Sequence, residues 1–425
     1  MIILQSQSIS KVNCLNTSVQ LRQVPYPYRA MLAICSDLDE TPNRHVYWEI
    51  LRFLNSDEDT AMGPGVGLEV GNSVYFDMPP GQFAYWNTDD AGREMIRTLI
   101  HSGHIDCLHS YGDLATTRQH AIQALDELDR NNCKLEVWID HGTAATNFDS
   151  TIMQGHGDEL DHEAYHADLT IHYGIKYVWC GRVTSIVGQD IPASLNGIFR
   201  LRHPVRSGRT LLKEAAKRKL AWKGNHKYVM HGSNETLRPT ILRDKSPVYE
   251  FMRCNPHWGG VSSCDKGRHI GEVLTNGMLK RLIERGGTCV LYTHLGKIDD
   301  PNIPFNRKAV EAFHRLTEEF HAGRILVTTT RRLLGYRRAV SEISFDSKWD
   351  EKGLRIEINR RVDENSPGKL SDTDLCGLTF YVPDPKATCM MIDGREVMDL
   401  KRNAPDHTGR PSVSLAWPLL EFPKI

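Results

Sequence analysis

The 425-residue sequence has no charge imbalance, no long apolar run and no signal-peptide core. Its 52 Lys and Arg residues balance 53 Asp and Glu residues, so no net field draws the whole chain to nucleic acid or to a membrane surface. No apolar run reaches the roughly 18 residues of a membrane span. The opening MIIL is too short for the core of a signal peptide. We therefore expect a soluble, cytoplasmic protein without a membrane span or a nucleic-acid partner.

The sequence also lacks any CxxC pair, although it contains ten cysteines. The cysteines are scattered, so neither a disulfide framework nor a zinc site of paired thiolates is indicated. We expect most of them to be buried thiols.

Strand-like runs alternate with helical periods over residues 29–337. The first unit is an apolar run over residues 30–36, followed by Val46, Ile50 and Leu51 at helical spacing. Such alternation predicts an α/β domain with a parallel sheet, closed or nearly closed as a barrel. Residues 185–270 fit the rhythm poorly and are predicted to be an insertion or long loops over one face.

The two ends of the chain differ from this pattern. Residues 1–28 are assigned to an N-terminal extension. Residues 338–425 contain short alternating runs separated by Asp, Gly, Pro and Asn, which predict a C-terminal antiparallel β-sandwich. This accessory domain is expected to assist substrate presentation or assembly, or to act as a stabilising cap.

Polar side chains follow three of the predicted strands. Asp37 and Asp39 end the first, His109 ends the run HIDCLH with Asp113 four residues later, and His294 follows CVLYT. Residues at the carboxyl ends of barrel strands face the active site. Gathered there, carboxylates and a histidine can hold a divalent metal, leaving one carboxylate as a base and another histidine as an acid.

In this order the motifs resemble those of the polysaccharide deacetylases, the NodB-homology group of carbohydrate esterases. The resemblance covers residues 29–335 and implies a distorted parallel (β/α) barrel. It implies that Asp37 is the catalytic base and that Asp39 is a metal ligand. The histidine in LYTHLG, His294, corresponds to the general acid.

The second family motif, which resembles GHxxxxH[ST]xxH, is altered here. His109 falls on its first histidine ligand, whereas Asp113 replaces the second. The implied metal set is Asp39, His109 and Asp113. A set with two carboxylates is harder than one with two histidines, so manganese, cobalt and iron are alternatives to zinc.

The family's base-orienting arginine is not found where expected, and WIDHG occupies its place. His141 and Arg182 are candidates to substitute for it. Trp258 is a candidate to stack on a sugar ring, or alternatively to anchor its loop.

The resemblance implies metal-dependent hydrolysis of an N-acetyl group on an amino sugar of a saccharide or glycoconjugate. Asp37 would take a proton from water, and His294 would give one to the departing amine. Two alternatives stay open: a glycosyltransferase that uses Asp-x-Asp with a metal and a nucleotide sugar, and a non-catalytic carbohydrate-binding barrel. Asp39 could also simply charge the start of the next helix, and His109 with Asp113 could be a surface pair. The sequence leaves a homo-oligomer open.

Overall fold

The fold is taken from a computed structural model, which describes residues 19–38, 40–360 and 366–425. The strands up to residue 328 are β1 (Gln20–Leu21), β2 (Ala30–Ser36), β3 (Asp59–Thr60), β4 (Gly63–Pro64), β5 (Asn72–Val74), β6 (Ile105–His109), β7 (Val137–Ile139), β8 (Tyr177–Trp179), β9 (Val183–Thr184), β10 (Leu237–Ile241), β11 (Pro247–Phe251), β12 (Arg253–Cys254), β13 (Thr288–Thr293) and β14 (Ile325–Thr328). The helices of the same region are α1 (Arg44–Asn55), α2 (Asp90–His101), α3 (Arg118–Arg130), α4 (Ala167–Tyr173), α5 (Pro204–Trp222), α6 (Val229–Ser233), α7 (Ile270–Val273), α8 (Asn276–Arg285), α9 (Arg307–His321) and α10 (Thr330–Glu342).

Strand β2 lies inside a curled, mostly parallel sheet. All seven of its residues are buried, as expected for a strand covered on both faces. The strand order is β10-β11-β8-β7-β6-β5-β2-β13-β12-β9, and β14 also pairs with β2. The pairing of β10 with β11 is antiparallel and the others in this sheet are parallel. The predicted mixed α/β architecture with a mostly parallel sheet is confirmed.

The segment predicted to be an insertion or long loops also contributes to this sheet. Residues 185–270 contain β10, β11, β12 and the 19-residue helix α5. Strand β11 pairs with β8, and β12, which is separated from β11 by one residue, pairs with β13. The prediction missed these strands because they are short and lie between irregular segments, where hydrophobic periodicity is weak.

No helix among the described residues has the length and apolar character needed to cross a membrane.

The C-terminal residues form two four-stranded sheets instead of the purely antiparallel arrangement that was predicted. Their elements are β15 (Ile343–Asp350), β16 (Gly353–Arg360), helix α11 (Asp372–Leu375), β17 (Thr379–Tyr381), β18 (Thr388–Ile392), β19 (Arg395–Glu396), β20 (Lys401–Asn403) and β21 (Ser412–Ser414). One sheet has the order β15-β16-β18-β19, and its β16–β18 pair is parallel. The other has the order β1-β17-β21-β20, so β1 comes from the region assigned to the N-terminal extension.

The end of the chain packs against the first half of the protein. The rings of Trp48 on α1 and Phe422 stack with centroids 4.9 Å apart. The backbone N–H of Leu420 donates to the carboxylate of Glu69 at 3.0 Å. A chain that ended near residue 338 would therefore expose Trp48 and leave Glu69 without this partner.

A buried carboxyl on β6 predicts a pH-dependent stability. The Asp106 carboxylate accepts a hydrogen bond of 2.7 Å from the backbone N–H of Arg331. Burial raises the pKa of Asp106, the Arg331 bond offsets part of that rise, and the resulting pKa is about 6 compared with the ordinary 3.8. Because the folded chain then holds this proton more tightly than the unfolded chain, the stabilisation is full below about pH 4 and is lost as the pH rises through about 6.

The change Asp106→Asn should remove this pH dependence, because the amide does not ionise and its oxygen can accept the same bond. Between about pH 4 and pH 7, the difference in free energy of unfolding between the two proteins should shift by about 2 kcal/mol in favour of the variant. Urea unfolding of both proteins at the two pH values measures this shift. If the difference in free energy of unfolding between the two proteins is the same at both pH values, the pH dependence does not come from Asp106.

Candidate active site

A buried ion pair lies at the carboxyl ends of the parallel strands. Asp37, the residue after β2, is 2% exposed, and Arg253 on β12 is fully buried. The two guanidinium Nη atoms of Arg253 donate to the two carboxylate oxygens of Asp37 at 2.8 and 2.9 Å. The guanidinium also lies over the ring of Trp179, 4.2 Å from its centroid. This two-pronged geometry fixes the orientation of the carboxylate.

The surroundings keep Asp37 ionised. Burial alone would raise the pKa of its carboxyl, but the positive charge of Arg253, together with His109 and His294, outweighs burial and holds the pKa well below its ordinary value. Asp37 is therefore a carboxylate at neutral pH, and a weaker base than an exposed aspartate.

Two histidines flank the two oxygens of this carboxylate. His109 Nδ1 lies 3.2 Å from Asp37 Oδ1 and 3.1 Å from Ser73 Oγ. His294 Nε2 lies 3.7 Å from Asp37 Oδ2. The structure thus brings Asp37, His109 and His294 together from three strands that are separated in the sequence by up to 257 positions.

Strand register explains this convergence. In the parallel pair of β2 and β13, Ser36 lies opposite Thr293, so Asp37 and His294 both follow at the same edge of the sheet. Strand β5 pairs with β2 through Asn72 opposite Ser36, and β6 follows β5. His109, the last residue of β6, therefore lies at this edge as well.

His109 has the state expected of a metal ligand. Burial lowers its pKa well below 6.5, and the charges of His141 and Arg253 add to this although Asp37 opposes it. The neutral ring donates its Nδ1 proton to Asp37 or Ser73, which leaves the lone pair on Nε2. A carboxylate behind a histidine is a usual way to orient a metal-binding imidazole.

Asp113 pairs with His141 at the rim of the site. The Asp113 carboxylate, which is 41% exposed, lies 3.1 Å from His141 Nδ1, and this hydrogen bond lowers the pKa of Asp113. The His141 and His109 rings have centroids 4.7 Å apart. Gly112 explains the turn before Asp113: its φ is +103° and an added Cβ would lie 2.0 Å from the carbonyl oxygen of Asp77.

The predicted metal ligands are only partly assembled. Their donor types, imidazole nitrogen and carboxylate oxygen, suit a divalent ion. Asp39 lies outside the described residues. Within the described part of the chain, His109, Asp113 and His141 do not form a group with three ligand atoms within 4.8 Å of one another. The metal role of Asp39, His109 and Asp113 stays a prediction.

Neither residue predicted to replace the orienting arginine contacts Asp37. His141 pairs with Asp113, and Arg182 forms a buried ion pair with Glu250. Trp258 stacks face to face on His203, with centroids 4.1 Å apart, so one of its faces is already covered. A sugar contact at its other face stays a prediction.

Sequence reasoning missed Arg253 and Asp265. Asp265 accepts a hydrogen bond from His294 Nδ1 at its backbone oxygen, 3.1 Å away. Arg253 begins RCNPHWGG and so precedes a proline and two glycines. The prediction places the orienting arginine near residue 140 instead, because the short strands of the segment 185–270 carry too weak a hydrophobic periodicity to be predicted from the sequence.

A scan against protein-family models, a search of curated proteins and a search of solved structures each return no match for this chain.

Proposed function

We propose that this protein is a metal-dependent hydrolase that removes the acetyl group from an N-acetylated amino sugar. The observation that carries the proposal is the Asp37 carboxylate, held by Arg253 on one side and 3.7 Å from His294 on the other. The proposal includes a barrel of the polysaccharide deacetylase type, supported by the consecutive strands β11 and β12, which pair with β8 and with β13. It also includes an accessory β-sandwich at the C-terminus, supported by the contact of Phe345 with Phe380 across the two small sheets.

Asp37 acts as the general base in this proposal. Its carboxylate is ionised and rigidly oriented, but its lowered pKa makes it a poor base for ordinary water. A divalent metal, when bound, supplies a more acidic water and polarises the amide carbonyl. His109 Nε2 would be one ligand, with Asp39 and Asp113 as the others.

His294 acts as the general acid. Its Nδ1–H donates to the Asp265 carbonyl, so a second proton on Nε2 makes the ring an imidazolium that can donate. Nε2 faces Asp37 across 3.7 Å, a gap short enough for both groups to reach one acetamide. Asp37 takes the proton of the attacking water, and His294 gives one to the nitrogen as the C–N bond breaks. Acetate and a free amine result.

The same contacts favour this reading over a glycosyltransferase. In such enzymes the aspartates of Asp-x-Asp bind a metal and a nucleotide sugar, whereas both oxygens of Asp37 are engaged by Arg253. A positively charged partner suits a base that must stay ionised better than it suits a metal ligand.

The test is acetate release from N-acetylated glucosamine, galactosamine and mannosamine, free and in oligosaccharides. The protein is first treated with a chelator, and zinc, manganese, cobalt or iron is then added back. We expect metal-dependent acetate release on at least one substrate. Sugar binding without acetate under every condition would support the non-catalytic carbohydrate-binding alternative instead.

Asp113→Ala tests the proposed metal set. Loss of one of three ligands should lower the metal content of the purified protein together with its activity. Asp113→His should keep the metal and shift the preference toward zinc. Metal analysis of the folded variants gives the answer, and an Asp113→Ala protein with undiminished metal would remove Asp113 from the set.

A further inference from the structure

We propose a second metal site, formed by His257, Cys264 and Glu272 and independent of the proposed function. The thiol of Cys264 lies 3.7 Å from Glu272 Oε2, and His257 Nε2 lies 3.9 Å from the same oxygen. One ligand atom from each residue falls within 4.8 Å of the other two. These separations are close to those between two ligand atoms of a tetrahedral ion, in which each ligand atom lies about 2.0–2.3 Å from the metal.

A buried nitrogen without a partner points into this group. His257 is 4% exposed, and its Nε2 has no hydrogen-bond partner. Ser263 donates its hydroxyl proton to the Gly260 carbonyl at 2.8 Å, so its oxygen can accept from His257 Nδ1–H at 2.8 Å. That tautomer leaves the lone pair on Nε2, facing Glu272. In the other tautomer of His257, Nδ1 accepts a hydrogen bond of 3.1 Å from the Gly259 backbone N–H. Metal binding at Nε2 would select the tautomer that carries its proton on Nδ1.

The charges of the group suit a zinc-like ion. Burial and the nearby Glu272 carboxylate together raise the pKa of the Cys264 thiol to about 12. A bound divalent ion expels the thiol proton to solvent, and one thiolate with one carboxylate then balances its two positive charges. Sulfur, imidazole and carboxylate are ligands that zinc accepts, and a water can complete four-coordination.

The site would fix a loop that reaches the candidate active site. Cys264 directly precedes Asp265, whose carbonyl accepts from His294. An ion held by Cys264, by His257 on the preceding loop and by Glu272 on α7 would fasten three points of this irregular segment.

Cobalt(II) provides a test that does not depend on activity. A thiolate bound to cobalt gives an intense near-ultraviolet charge-transfer band, and no cysteine belongs to the set of Asp39, His109 and Asp113. We expect this band in the full-length protein, with one equivalent of cobalt at the site. Cys264→Ser should abolish it, whereas Cys376→Ser, a change at a half-buried cysteine elsewhere, should leave it unchanged.

If Cys264→Ser does not fold, Glu272→Gln provides the test instead. Glu272 lies at the surface, so we expect this variant to fold. It should weaken cobalt binding at this site at least about tenfold. No band in the wild type at saturating cobalt, or a full band in folded Cys264→Ser, would overturn the proposal. Neither result depends on acetate release.

A second, independent inference concerns helix α5, which buries polar side chains and exposes apolar ones. It buries Ser207, Thr210 and Glu214, whereas Val205 and Leu212 are 83% and 71% exposed. Val205 and Leu212 are seven residues apart, so they share the outer face. An exposed apolar face on a helix of this length indicates a contact with another apolar phase.

The charge around α5 identifies the partner. Residues 200–227 contain ten Lys and Arg residues and one acidic residue, Glu214, although the whole chain is nearly neutral. Arg209 and Lys213 lie on the outer face beside Leu212. Two copies of this face would bring like charges together, and nucleic acid would leave the aliphatic side chains without apolar contacts. We infer that α5 binds an anionic lipid surface, with its apolar side chains at the acyl boundary and its cations among the head groups.

Vesicle co-sedimentation of the full chain tests this inference. We expect binding to vesicles of phosphatidylglycerol and phosphatidylcholine, and at least tenfold weaker binding to phosphatidylcholine alone. Val205→Glu with Leu212→Glu should weaken anionic-vesicle binding by a similar factor. Met398→Glu, at a side chain 85% exposed elsewhere, is the matched control and should bind as the wild type does. Absent vesicle binding, binding of RNA but not vesicles, or undiminished binding by the double variant would overturn the inference.

Discussion

Replacing Arg253 with Ala should lower the free energy of unfolding by about 3–5 kcal/mol, the largest stability loss that we expect from a single substitution at the site. Arg253 is fully buried and donates two hydrogen bonds to Asp37, which is itself 2% exposed. Without the guanidinium, a carboxylate would remain buried beside a cavity and without its main partner. Urea unfolding of wild type and variant at neutral pH measures the loss.

Two further variants separate charge from geometry. Arg253→Lys keeps the positive charge but cannot make both bonds, so its loss should be intermediate. Combining Arg253→Ala with Asp37→Ala removes both charges, and the double variant should be more stable than the sum of the two single losses predicts. A loss below about 1 kcal/mol in Arg253→Ala would show that the pair does not hold this part of the fold.

His294→Gln should reduce turnover by about a hundredfold to ten-thousandfold while the fold and the metal content stay unchanged. In the proposed mechanism, His294 donates a proton to the leaving amine and binds no metal. Its backbone is fixed at the end of β13, so the substitution removes the acid without moving Asp37. Steady-state kinetics on the best substrate give the change, and the kcat should fall far more than KM changes.

Metal analysis and unfolding curves of the same variant act as controls. If His294→Gln loses its metal, the histidine is a ligand and the assignment of the acid is wrong. If it keeps full turnover, the proton comes from another group.

The sequence predicted the part of the site that depends on local pattern. The run AMLAICS followed by Asp37, and the run CVLYT followed by His294, are strongly apolar strands with polar residues at their ends, and parallel pairing brings such ends together. His109 could be placed for the same reason. The prediction needed only strand identity and parallel direction, which hydrophobic patterns reveal.

The rest of the site depends on contacts between distant segments. Arg253 lies 216 positions from Asp37, on a two-residue strand within a segment of weak periodicity. The pairing of β1 with β17 joins residues about 360 positions apart, and the parallel β16–β18 pair joins strands that local patterns describe equally well as antiparallel. Local sequence does not identify the partner of each strand, because a strand can pair with any neighbouring strand whose exposed edge has a compatible side-chain pattern.

We propose that Asp37, Arg253 and His294 form a hydrolytic site for an acetamide. Acetate formed from N-acetylated amino sugars in oxygen-18-labelled water tests it most directly, with Asp37→Asn measured beside the wild type. Hydrolysis predicts that wild-type protein with added metal releases acetate carrying one labelled oxygen, and that folded Asp37→Asn releases at least about a hundredfold less. Acetate without label, equal release by Asp37→Asn, or no acetate from any substrate with any of the four metals would contradict it.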